Sequence, residues 1–193
     1  KIPDISEFEK EDLLEREKEV LGVYVTGHPL DEYTGMWEKH VSARSTDFLI
    51  DEETGETKAA DSTKQTIGGL VRNIKVNTTK TGQQMAYLTI EDFVGSVEVI
   101  LFPKAYEKNR RVLDMTNKVF ITGRVQANVG AEAKLIADGL VSFDSVPRRL
   151  WLRFDSLAQY EACRDDLFDI LNESDGKDTV TIYCVAEKQR IAL

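Results

Sequence analysis

Between Lys64 and Phe143 apolar and polar residues alternate with a period of two, broken by short glycine-bearing turns, the pattern of half-buried strands. Thr66 to Val76 reads as a strand softened by Gly68 and Gly69, and Lys80-Thr81-Gly82-Gln83 has turn composition, which predicts a hairpin. Met85 to Ile90 sets Ala86, Leu88 and Ile90 against Met85, Tyr87 and Thr89, and after a break at Glu91 to Gly95 the run Val97 to Phe102 alternates again. Pro103 opens a helical stretch to Asp114, where Tyr106, Arg110 and Leu113 recur at helical spacing. Val119 to Val125 and Lys134 to Val141 are two further strands across a loose turn at Asn128-Val129-Gly130.

Three strands, a helix and two strands in this order predict an OB-fold, a five-stranded, partly open barrel that commonly binds oligonucleotides. Before it, Ser6 to Tyr24 reads as a helix with apolar positions Leu13, Leu14, Val20 and Leu21, stopped by Gly27 and Pro29. Asp31 to Trp37 is a short second helix with Tyr33 and Trp37 on one face, and Val41 to Lys64 is polar, with Asp51 to Glu56 a solvated acidic loop. After the barrel come a junction at Val146 to Arg149, a strand Leu150 to Phe154 and a helix capped by Ser156. That helix has Leu157, Tyr160, Cys163, Leu167, Ile170 and Leu171 as its apolar positions, and a strand Val180 to Val185 and an apolar stub follow. The predicted class is mainly β with α/β flanks: a helical connector over residues 1–63, an OB-fold over 64–146 and a partial α/β domain over 147–193.

At 193 residues and 41% hydrophobic composition the chain can bury a real core. No run of 18 apolar residues occurs, so no membrane partner is expected, and a start at Lys1-Ile2-Pro3-Asp4 suggests a piece excised from a larger cytoplasmic protein. Cys163 and Cys184 lie far apart and are expected to be reduced thiols. The net charge of −9 argues against nucleic acid only until its distribution is read. Residues 1–63 carry −10 and residues 144–193 carry −3, whereas residues 64–143 carry +4. A ligand on the barrel feels that local charge first, because screening acts over about 8 Å at physiological salt.

No enzyme signature is present. Gly68-Gly69 lacks the Gly-Lys-Ser/Thr ending of a phosphate loop, and the Glu91-Asp92 pair sits on a strand whose adjacent side chains diverge, which disfavours a shared metal. The acidic loop lacks the oxygen-ligand spacing of a calcium site. His28 has no neighbouring nucleophile and reads as a loop-ordering hydrogen-bonder. Catalytic residues, metal and cofactor are therefore none. Single strands are held by cationic grooves that follow phosphates and by aromatic faces on which bases stack. With Ala86, Leu88 and Ile90 turned to the core, Tyr87 and Thr89 face outward on the second strand. Arg72, Lys75 and Lys80 flank the first hairpin, and Arg124 and Lys134 reach the same groove from later strands. The bland alternative is a sheet aromatic among ordinary surface charges.

The run Glu17-Lys18-Glu19-Val20-Leu21-Gly22-Val23-Tyr24-Val25-Thr26-Gly27-His28-Pro29-Leu30 is followed by Lys80-Thr81-Gly82, Leu88-Thr89-Ile90-Glu91-Asp92, Gly95-Ser96-Val97-Glu98-Val99 and Phe102-Pro103. Together they resemble the carboxyl-terminal region of the alpha subunit of bacterial DNA polymerase III, over nearly the whole chain. The resemblance implies a noncatalytic OB-fold that contacts single-stranded template DNA in chromosomal replication. It also implies a last domain that in some members binds the tau subunit, here represented by its first half. The family's catalytic aspartates, which use Mg2+, and its sliding-clamp motif have no counterparts in this sequence. The alternatives are a module that docks a replisome protein without touching DNA, and the anticodon-binding domain of an aminoacyl-tRNA synthetase, which leaves the Gly-His-Pro-Leu run unexplained.

Overall fold

The computed structural model describes residues 10–192 apart from 148, 175 and 177. They divide into two compact units, one ending at Phe143 and one beginning at Asp144.

In the first unit, helix α1 spans Lys10–Leu21. The predicted residues before Lys10 lie outside the described residues. The helix stops short of Tyr24 because Gly22 takes a left-handed φ of 75° and donates its N–H to the Lys18 carbonyl at 3.0 Å. Of its four expected core positions only Leu14 is buried, and Val20 and Leu21 are exposed, a correction to the predicted apolar face. The expected second helix is a 3-10 turn, Asp31–Tyr33, running into helix α2, Thr34–His40.

Strands β1 (Lys64–Thr78), β2 (Gln84–Glu91) and β3 (Ser96–Leu101), helix α3 (Pro103–Met115), and strands β4 (Lys118–Asn128) and β5 (Ala131–Ser142) form the OB-fold. The barrel closes in the order β1-β2-β3-β5-β4, with β4 pairing back onto β1. All pairings are antiparallel except β3 with β5, where Val99 meets Leu135 and Ile100 meets Ile136. Closure bends the strands, and the bends need glycine: a Cβ on Gly69 would stand 2.3 Å from the Glu91 carbonyl oxygen. The turn expected to be loose is a tight two-residue connection, with Asn128 paired to Ala131 and Gly130 at a φ of 75°.

The core contains the predicted Ala86, Leu88 and Ile90 with Val97, Val99, Leu101, Ile121, Val125 and Leu135. It also contains Ala43, Phe48 and Ala59 from the segment read as a polar loop. That reading is corrected: a 3-10 turn at Ser45–Phe48 inserts Phe48 into the barrel core at 1% exposure. Asp51 to Glu56 remains a solvent turn, closed by the Ile50–Thr57 bridge. The connector is anchored by the Trp37 indole N–H, which donates to the Gly68 carbonyl at 2.7 Å.

In the second unit, β6 (Arg149–Phe154) and β7 (Thr179–Cys184) are parallel and joined by α4 (Leu157–Asn172), while the predicted stub is a strand, β8 (Gln189–Ala192), antiparallel to β7. The Ser156 hydroxyl caps α4 by accepting from the Gln159 N–H at 3.3 Å. Tyr160, Ile182 and Cys184 form its small core, with Leu152, Phe154, Leu157 and Leu167 against it. Ile170, expected on the core face of α4, is exposed instead.

Candidate nucleic-acid interface

The barrel register places six side chains in one row across the outside of the sheet. Lys75 on β1 pairs with Tyr87 on β2, Tyr87 with Ile100 on β3, Ile100 with Ile136 on β5, Ile136 with Arg124 on β4, and Arg124 with Lys64 on β1. Paired residues share a face, so this row stands opposite to Ala86, Leu88 and Leu101, whose side chains fill the core. It combines one aromatic ring, two isoleucines, of which Ile100 is buried at 8% exposure and Ile136 partly exposed, and three cations, Lys75 at one end and Arg124 and Lys64 at the other. Lys75 and Arg124 are exposed and have no carboxylate partner among the described residues. The adjacent row runs Asn73, Thr89 and Glu98, and Lys134 joins it through an ion pair of 2.8 Å with Glu98.

Five of the seven predicted site residues, Lys75, Tyr87, Thr89, Arg124 and Lys134, thus lie on one continuous face. Lys80 stands apart at the exposed tip of the β1–β2 hairpin, where Gly82 takes a φ of 78°. Arg72 is drawn away from the face. A bulge between Val71 and Asn73 leaves it out of the pairing ladder. Its guanidinium bonds Glu91 at 3.2 and 3.4 Å and lies 5.5 Å from the centre of the Tyr24 ring, joined by Lys18 at 3.4 Å from the same carboxylate. Arg72 therefore ties the connector to the barrel.

Sequence reasoning passed over Phe102. It continues the alternation of β3 in extended conformation, φ −65° and ψ 162°, two residues after Ile100 and hence on the side of Tyr87. Its ring is 49% exposed. The signal was available, an aromatic at the outward position of an alternating run.

The carboxylates once weighed as a metal pair diverge. Glu91 takes the two cations just named. Asp92 is buried at 6% exposure and accepts from the Ser45 N–H and hydroxyl at 2.8 and 2.7 Å and from the Val94 and Gly95 N–H groups at 3.0 Å. No cluster of three His, Cys, Asp or Glu side chains among the described residues is placed to hold a metal ion. His28 orders its loop as expected: Nδ1 accepts from the Leu30 N–H at 3.1 Å, and the ring lies between Tyr24 and Phe93 at 4.9 and 5.0 Å. Burial lowers its pKa below the usual imidazole value, against the opposing pull of the Glu91 and Asp31 carboxylates. No helix among the described residues is long and apolar enough to cross a membrane.

Residues 65–142 match the tRNA_anti-codon family, described as an OB-fold nucleic acid binding domain. The whole chain aligns at 27% identity with 17% of the DNA polymerase III subunit alpha of Bacillus subtilis. Over 65% of its length it is 34% identical to the same subunit of Aquifex aeolicus, of which it covers 10%. The chain thus spans less than a fifth of the curated relatives it matches. Asparaginyl-tRNA synthetase from Pyrococcus horikoshii is a structural neighbour at a TM-score of 0.36 and 18% identity, covering 51% of this chain and 23% of that one. Residues 65–142 therefore form an OB-fold that matches a nucleic acid binding domain family, set in a chain that is related by sequence to a segment of the bacterial DNA polymerase III alpha subunit.

Proposed function

We propose that the outer face of the barrel binds single-stranded DNA, and that the chain serves as the noncatalytic, template-contacting part of a replicative polymerase alpha subunit. The observation that carries this reading is the register row from Lys75 through Tyr87 and Ile100 to Arg124. A strand lying along it stacks a base on Tyr87, passes over the partly exposed Ile136, and meets a cation at either end for its phosphates. A stacking face and cations of this kind offer nothing comparable to a duplex, whose bases are already stacked and paired. The acidic segments that flank the barrel in the sequence favour a strand that keeps to it, the one segment with net positive charge. Magnesium-dependent nucleotidyl transfer and clamp binding fall to sequence outside this chain, and any tau contact falls to the second unit.

Fluorescence anisotropy with a labelled single strand and the matched duplex, at several salt concentrations, tests the proposal. Single strands bind more tightly, with an affinity that falls linearly in log salt as counterions are released. Tighter duplex binding, or no salt dependence, contradicts it and favours a module that docks a protein.

A further inference from the structure

Beside the sheet face lies a groove of about 710 Å³ between the β1–β2 hairpin and α3, lined by Gln83 and Gln84 on one side and by Pro103, Lys104, Tyr106, Arg110 and Arg111 among others on the helix side. Its charges are uneven. Arg110 leans toward Asp114 at 3.9 Å, but Lys104 and Arg111 are exposed and have no carboxylate partner among the described residues. They are seven residues apart on α3, two turns along one side of the helix. Glu107 is the other acidic lining residue, so the groove is cationic overall.

The groove opens past the end of the sheet face and on the other side of β2, since Gln84 is an odd number of residues from Tyr87 and turns to the opposite face. Tyr87 and Ile100 are paired, and three residues from each, roughly 10 Å along the strands, lie Gln84 and Pro103 on its rim. Between the row and the rim stands Phe102, half-exposed on the side of Tyr87. An aromatic ring at the end of one binding row, followed by two unpaired cations and two amides, has the chemistry of a path for a polynucleotide: a face for one further base, then donors for phosphates. The burial of Asn109 on the opposite side of α3 fixes which side the helix shows. Its amide donates to the Ala105 carbonyl at 2.7 Å, and its carbonyl oxygen accepts from the Leu140 N–H of β5 at 3.0 Å, holding α3 against the barrel.

We infer that a bound single strand does not end at the sheet but turns over Phe102 into the groove between the hairpin and α3, where Lys104 and Arg111 receive its phosphates. This rests on the single-strand reading of the barrel face and extends it to the length and course of the ligand. The test compares oligothymidylates of about 6 and about 16 nucleotides, the span of site sizes known for OB-folds. Wild-type protein binds the longer strand more tightly and with a steeper salt slope. Replacing Lys104→Ala and Arg111→Ala together lowers that slope by about 1.4 on the long strand, two contacts at about 0.7 each, and leaves the short strand unchanged. Phe102→Ala weakens the long strand about tenfold at every salt concentration without altering its slope. Equal effects of the double substitution on both lengths, or no effect on the long strand, overturn the inference while the sheet reading stands. Failure of both lengths to bind overturns the two together. Both cations are exposed, and an unchanged thermal transition of the double variant excludes unfolding as the cause.

Discussion

The Lys134 ammonium lies 2.8 Å from the Glu98 carboxylate on the outer face of the barrel, so its charge is largely neutralised before any phosphate approaches. Both side chains are 43% exposed, and such a pair contributes little to stability. Lys134→Ala should therefore change the salt slope of single-strand binding by much less than Lys75→Ala, which removes an unpaired cation and about 0.7 of slope. Glu98→Gln should act in the opposite direction, steepening the slope by releasing Lys134. Salt titrations of the three variants check this ordering.

A second prediction concerns the joint between connector and barrel. Asp92 accepts four hydrogen bonds in a buried site, two of them from Ser45, which lies 47 positions earlier in the chain. Hydrogen bonds to a charged acceptor contribute about 1.5–3 kcal/mol each when removal strands a buried donor. Asp92→Ala should lower unfolding free energy by at least about 3 kcal/mol in urea denaturation, and Asp92→Asn by less, since its amide oxygen still accepts.

The pH dependence has a definite sign at His28. Burial holds its folded pKa below the unfolded value, so the unfolded chain takes up the proton first as pH falls. Its contribution to stability is complete above the unfolded pKa of about 6.5 and is lost as pH drops below it toward the folded value. His28→Gln, which keeps an acceptor near the Leu30 N–H, should flatten the stability profile as pH falls below about 6.5. Urea midpoints of the two proteins across that range measure the difference.

The barrel was legible because Ala86, Leu88 and Ile90 alternate without interruption, and a period of two assigns Tyr87 and Thr89 to the opposite face by geometry alone. Phe48, Ala43 and Ala59 were not legible. They stand in short apolar runs, Phe48-Leu49-Ile50 and Ala59-Ala60, or singly, as Ala43 does, within a polar stretch, and runs this short carry no period to detect. Arg72 was misleading for a related reason: the bulge between Val71 and Asn73 shifts the ladder by one residue, and no local pattern announces it. The family resemblance rested on exact runs such as Gly27-His28-Pro29-Leu30, which here order the connector. The row from Lys75 to Arg124 needed the structure, because it joins residues from five strands through the parallel contact of β3 with β5.

The central claim is that this row is the binding site, and the most direct measurement is single-strand affinity of Tyr87→Ala against salt concentration. Loss of one stacking face should cost roughly 1–3 kcal/mol at every salt concentration, leaving the slope unchanged because no phosphate contact is removed. The outward position of Tyr87 should leave the protein folded, whereas Leu88→Ala, at 1% exposure, should lower its stability by about 2–5 kcal/mol. Single-strand binding by a folded Tyr87→Ala variant that matches wild type at all salt concentrations would contradict the account.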